Sequence, residues 1–268
     1  MKKLLILLLL VSATFPADAR KLVILHMNDT HSHIEPERSG SRKGHGGVIE
    51  QACLIDSVRT ADGKKNVLLL HAGDFSQGTS YFSELHGDLE IEILNAMGFD
   101  AVCLGNHEFD NGPVELARRL SSLKAPVVCS NYIFKGIPLE NCVKPYAIVR
   151  KAGLKIGIVA VLTDLSSVVD GDIAASFKYL EPASSASVQA SYLKNVAKCD
   201  IVICLSHCGY EEDLQIAENL KDVDIIVGGH SHTFLDEPSF VTSKDGREVM
   251  IVQDGCWGLE LGQIDIEF

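Results

Sequence analysis

No stretch beyond residue 19 is apolar for the ~20 residues that a bilayer-spanning helix needs, which excludes a polytopic membrane protein and any membrane insertion of the main body. Basic residues are in deficit, 24 Lys and Arg against 36 Asp and Glu, for a net charge of −12. A surface of that sign repels nucleic-acid backbones, so no nucleic-acid partner is expected. Aromatic residues are scarce, and Trp257 is the single tryptophan. No C-x-x-C pair occurs, which removes thioredoxin-like and zinc-ribbon roles. The eight cysteines are irregularly spaced, and Cys103, Cys129 and Cys204 sit inside apolar runs where cysteine packs as a small hydrophobe. They do not form a disulfide framework, and a Cys129–Cys142 bridge across a loop is the one pairing worth testing. No internal repeat, low-complexity tract or linker divides the chain.

The first residues have the three parts of a secretory signal: Lys2 and Lys3, an unbroken apolar run from Leu4 to Val11, and the small residues of Ala17-Asp18-Ala19. Cleavage after Ala19 is expected, giving a periplasmic or secreted protein. The 268 residues less these 19 leave 249, a length suited to one large α/β domain over 20–268. Losing two lysines and one aspartate moves the net charge from −12 to −13. If so acidic a protein handles a phosphate, the positive charge must come from something bound.

Short apolar runs recur at 22–26, 67–71, 101–104, 127–129, 156–162, 201–205 and 225–227. Residues apolar in succession suit strands buried on both faces. Helical patterns lie between them. Leu89, Ile93, Ala96 and Met97 are stopped by Gly98, and Pro113 opens a helix carrying Leu116, Leu120 and Leu123. Val188, Tyr192 and Val196 mark the apolar side of a third, and Glu211, Glu212 and Asp213 begin a fourth. Residues 145–162 read as a hairpin turning at Ala152-Gly153, and after Pro238 the pattern is β with a turn at Asp245-Gly246. Strand and helix alternation is the mark of an α/β fold.

The functional signal lies at the ends of the apolar runs. Five of them lead into Asp29 and His31, Asp74, Asn106-His107, His207, and His230 and His232 respectively. In α/β sheets the carboxyl ends of parallel strands meet at one edge, where sites are assembled from several loops. Alternation along a strand end would point Asp29 with His31, and His230 with His232, to the same side. Carboxylate, amide oxygen and imidazole form a donor set for divalent metals, zinc or manganese being expected. With Asp29 and Asp74 ionised, two divalent ions leave the set at about +2, which suits a phosphate dianion, whereas seven ligands would over-coordinate one zinc. His26, His71 and His86 are read as structural, His33 and His45 as near the site without a role, and Cys208 as packing.

The blocks LHMNDTHSH (25–33), HAGDFSQG (71–78), GFDAVCLGNHEFDNG (98–112), LSHCG (205–209) and GGHSHT (228–233) resemble the calcineurin-like metallophosphoesterases, and within them the catalytic domain of the bacterial 5'-nucleotidase and UDP-sugar hydrolase group. The resemblance implies a four-layer α/β/β/α sandwich and in-line hydrolysis of nucleotides by a water that two metal ions share and acidify. By motif, it implies that Asp29, His31 and His232 hold one ion and Asn106, His207 and His230 the other, with Asp74 bridging and His107 and Asp110 as the catalytic dyad. Glutamine is frequent in that group where this chain has His232. The group usually continues into a nucleotide-binding domain, absent from a chain that stops at Phe268, so a separately encoded domain is expected to supply specificity. The alternatives are a freestanding phosphomonoesterase or cyclic phosphodiesterase of broad range, and a metal-binding module without catalysis.

Overall fold

The computed structural model describes residues 20–268; the expected signal peptide lies outside them. Two six-stranded sheets lie face to face. The first runs in the order Gly262–Glu267, Lys21–Met27, Val67–His71, Ala101–Cys103, Val127–Val128, Val143–Lys144, all parallel except the Gly262–Glu267 edge. The second runs Ser239–Thr242, Glu248–Val252, Ile225–Val227, Ile201–His207, Leu154–Leu162, Ala147–Lys151, with four parallel central strands and an antiparallel strand at each edge.

Side-chain alternation divides the apolar runs between two environments. Leu22, Ile24, Leu68 and Leu70 point inward and meet Ile156, Ile158, Ile203 and Leu205 of the other sheet. Val23, Leu25, Val67 and Leu69 point outward, under the helices Val48–Asp62, Asp88–Met97 and Gly112–Leu120. On the far side Val159, Val161, Val202 and Cys204 are covered by the helices Pro182–Asn195 and Tyr210–Asn219. The result is the four-layer α/β/β/α sandwich, and burial on both faces accounts for strands that are apolar at every position. Among the described residues no helix is long and apolar enough to cross a membrane.

Local expectations hold at several turns. Gly98 caps Asp88–Met97 in the left-handed region, and Ala152 and Gly153, at φ 53° and 82°, form the hairpin turn between the antiparallel strands Ala147–Lys151 and Leu154–Leu162. Three differ. The helix opened near Pro113 ends at Leu120, and Leu123 packs on the core from the turn beyond. The helix Pro182–Asn195 buries Ala183, Ala186, Ala190 and Leu193, leaving Val188, Tyr192 and Val196 exposed. Small residues prevail on the inner face because the helix lies so close that a Cβ at Gly157 would meet the Leu193 side chain at 2.9 Å. All eight cysteines are free thiols: Cys129 bonds Asn131 and Cys142 lies against the Ala117 carbonyl, so the Cys129–Cys142 bridge is not made.

Candidate metal centre

The loops after Met27, His71, Cys103, His207 and Val227 leave the same edge of the sandwich, as parallel strands require. They are laced by their backbones beyond the strand ends. Asp29 N donates to Gly73 O, His31 N to Asp74 O and Ser32 N to Phe75 O, each at 3.0–3.2 Å. Asp29 and His31 thereby face Asp74, and the expectation of strand alternation is corrected: Asp29, His31, Asp74, His230 and His232 all have left-handed backbones, φ 46° to 74°. Such a conformation costs roughly 1–2 kcal/mol for a residue with a side chain. The close lacing of these loops holds it in place.

Two groups of donors result. Asp29, His31 and His232 form one, and Asp74, His207 and His230 the other, each with ligand-type atoms within 4.8 Å of one another. Asp74 reaches both: its Oδ2 lies 3.0 Å from His207 Nε2 and 3.8 Å from His31 Nε2. His31 Nε2 is 2.9 Å from His232 Nε2, which in turn is 3.3 Å from Asp29 Oδ1. Asn106 and His107 line the same cavity. His107 Nδ1 is 3.0 Å from Asp110 Oδ2, so the structure brings these two residues together, both part-exposed.

The electrostatics are those of a cation site. Burial would lower the His207 pKa, but the Asp74 and Asp29 carboxylates push it up to about 10. Hydrogen bonding to Asp29, then to Cys256, raises His232 to about 10, while burial pulls His31 and His230 down. Asp74 would be raised by burial, yet His207 holds it far below the usual carboxylate range. The hydrogen bond from His107 to Asp110 raises the imidazole pKa and favours its charged form.

A pair of divalent cations fits these donors. His207 Nδ1–H is spent on the Ala72 carbonyl at 2.7 Å, so its buried Nε2 is the ring nitrogen that faces the site, 3.0 Å from Asp74 Oδ2. The Asn106 Oδ1 is buried and unpartnered. Among the described residues no lysine or arginine lines the cavity of about 410 Å³.

The groups that support the donors are only partly visible from motif reading. Asn28 Nδ2 donates to Asp29 Oδ2 and to Gly255 O, and the Asp29 carboxylate accepts from His230 N. The wholly buried Glu108 accepts from Asp74 N, Gly105 N and Ser76 N, tying two ligand loops together. Its place within GNHEFD is the only signal for it. Trp257, His33 and Gln77 also line the cavity; Trp257 lies beyond the last motif, and its one sequence clue is that of a lone tryptophan close to two glycines. His26 pairs with Asp254 at 2.6 Å, His71 with Thr30, and burial lowers the His71 pKa to about 3; His86 caps the helix Ser80–Leu85 in the left-handed region. His45 stays in the loop with Glu37, and Cys208 is buried in the outer core.

Known proteins share this fold and much of this sequence. The chain is 35 % identical to human 5'-nucleotidase over 290 residues, covering 98 % of this chain and 49 % of that protein. Among solved structures it superimposes on the 5'-nucleotidase precursor of Thermus thermophilus with TM-score 0.85 and 34 % identity, over 92 % of this chain and 51 % of the other. The NAD nucleotidase of Haemophilus influenzae gives TM-score 0.82 at 31 % identity, over 93 % and 53 %. The chain thus spans about half the length of the relatives it matches. The profile of the calcineurin-like phosphoesterases matches residues 22–234, and the chain belongs to that family.

Proposed function

We propose that residues 20–268 form the catalytic domain of an exported 5'-nucleotidase-like hydrolase. Asp29, His31 and His232 would hold one divalent ion and Asn106, His207 and His230 a second, with Asp74 within reach of both donor groups. The position of Asp74 Oδ2 between the two donor groups carries this reading. Nucleotides are the proposed substrates, on the strength of the relatives' names; export rests on the residue pattern of 1–19.

When bound, the two ions supply positive charge and Lewis acidity to the phosphoryl group. The chain's residues do the rest. The hydrogen bonds of Asn28 and His230 N fix the Asp29 carboxylate, and His207 Nδ1–H to Ala72 fixes which ring nitrogen faces the site. Asp110 accepts from His107 Nδ1 and holds the imidazole charged, so that its Nε2–H can donate to the oxygen of the departing group. The test is phosphate release from a nucleoside monophosphate, with elemental analysis before and after chelation. Two ions per chain, lost together with activity, are expected; full activity in the chelated chain, or fewer than two ions at saturation, refutes the proposal.

A further inference from the structure

Trp257 sits where a structural tryptophan has no need to be. The residue is 39 % exposed, and its backbone is left-handed at φ 61°, a strained state for a bulky residue. The strain is held in place by what surrounds it. Trp257 N donates to the Asp29 carbonyl at 2.6 Å, tying the ring to a ligand loop. On either side a Cβ at Gly255 would collide with Phe234, and one at Gly258 with Gln51, whose amide also donates to the Gly258 carbonyl at 2.6 Å. The ring is stacked on His33, with centroids 4.8 Å apart and planes 9° from parallel, and His33 Nδ1 lies 3.5 Å from Glu37. Both rings line the cavity that holds His31, His107 and His232.

We infer that the stacked pair Trp257 and His33 is a substrate subsite, a rigid aromatic platform that takes the planar ring of the ester's leaving group, a nucleobase, while the phosphate occupies the metal centre. The inference rests on the hydrolase reading for the phosphate end and on the ring geometry for the other. A cavity of about 410 Å³ lies in the range of small-ligand sites, ~300–1,000 Å³. Aromatic stacking tolerates any base, so the platform favours nucleotides as a class over sugar phosphates, by about tenfold or more.

Because Trp257 is the only tryptophan, its fluorescence reports on the subsite independently of turnover. The zinc-loaded chain is titrated with a hydrolysis-resistant nucleoside 5'-phosphonate and with the ribose 5-phosphonate that lacks the base. Saturable quenching by the first and little by the second is expected. In parallel, Trp257→Ala should reduce the KM preference for nucleoside monophosphate over ribose 5-phosphate about tenfold, and Trp257→Phe should restore most of it. Equal quenching by both phosphonates, no quenching by either, or an unaltered KM preference in Trp257→Ala overturns the subsite. Hydrolysis of both esters without discrimination would do so while leaving the hydrolase reading intact; base-dependent quenching in a chain that hydrolyses neither would do the reverse.

Discussion

Replacing Gly105 with alanine should cripple both metal positions through a single methyl group. A Cβ at Gly105 would lie 2.1 Å from Asp74 Oδ1, 2.5 Å from Asp74 N and 2.7 Å from its Cγ. Gly105 is outside the left-handed region, so the substitution adds no backbone strain and the effect is steric. Asp74 has nowhere to go. Its Oδ1 accepts from His107 N at 2.9 Å, its own N–H donates to Glu108 at 2.9 Å, and the same Glu108 oxygen receives Gly105 N–H at 2.7 Å. Overpacking of this kind costs about 1–3 kcal/mol, and at about 2–4 °C per kcal/mol for a domain of this size the metal-free Tm should fall by roughly 5 °C. Relieving a 2.1 Å contact needs a shift of more than about 1 Å, which changes the distance of Asp74 from both donor groups at once. Affinity at both positions should therefore drop, by about 10- to 100-fold or more. Gly171, where a Cβ meets nothing within 4 Å, is the control: Gly171→Ala should leave Tm unchanged or raise it slightly. Calorimetric zinc titration and thermal unfolding in chelator are the assays. Parental affinity with two ions in Gly105→Ala would show that Asp74 does not need its observed position.

Three other substitutions separate metal holding, chemistry and stability. Asp74→Asn should weaken both ion positions together, read by elemental analysis, and loss of one ion alone would contradict the bridge. His107→Ala should keep both ions and lower turnover by about 100-fold or more; unchanged turnover at full occupancy would remove it from the chemistry. Asp213 is buried, and burial raises its carboxyl to about 7, against the hydrogen bond from Ser206. The native chain therefore holds a proton that the unfolded chain releases near 4, so this contribution to stability is present below about pH 4 and lost as pH rises to about 7, with a slope of up to about 1.4 kcal/mol per pH unit. Urea unfolding of the chelated protein at several pH values should show that slope, and Asp213→Asn should flatten it; identical profiles would refute the assignment.

The strands and the candidate donors were legible because both are written in short contiguous blocks. The strands Lys21–Met27 and Ile201–His207 could be read from the apolar runs 22–26 and 201–205, since burial on two faces favours apolar residues in succession. Helix faces were harder. The helix Val48–Asp62 begins at Gly47 with no side-chain cap and wholly buries only Gln51 and Ile55, so it offers little periodic signal. In Pro182–Asn195 the visible stripe, Val188, Tyr192 and Val196, is on the wrong side, because alanine contributes most of the inner contact and alanine carries no direction in a pattern. The motif blocks named the donors but not the contacts that aim them. Glu108 and Trp257 act across 32 or more positions of sequence, on Asp74 and Ser76 in the first case and Asp29 in the second, and no spacing rule anticipates such pairs.

Asp, Asn and His are the side-chain-bearing residues most often found at positive φ, so the residue types that metal chemistry selects are also those that a left-handed backbone tolerates. At Asp29, His31, Asp74, His230 and His232 the strain, roughly 1–2 kcal/mol each, falls on loops rather than on the buried sheets beneath them. Without ions these loops also hold two carboxylates and converging imidazoles, with His31 Nε2 and His232 Nε2 only 2.9 Å apart. Bound ions that offset this charge should stabilise the fold by about 4 kcal/mol per site at a thousandfold excess over Kd. The gain should be local as well as global. Chelation should speed amide exchange in residues 28–33, 73–78 and 229–233 while the strands Lys21–Met27 and Ile201–His207 stay protected, because those strands are enclosed by the sheets and helices around them and the loops open below the global unfolding free energy. Hydrogen exchange followed by mass spectrometry resolves these segments. Uniform protection with and without ions would mean that the loops are held by their backbone lacing alone, and that the donor geometry is built into the fold rather than completed by the metals.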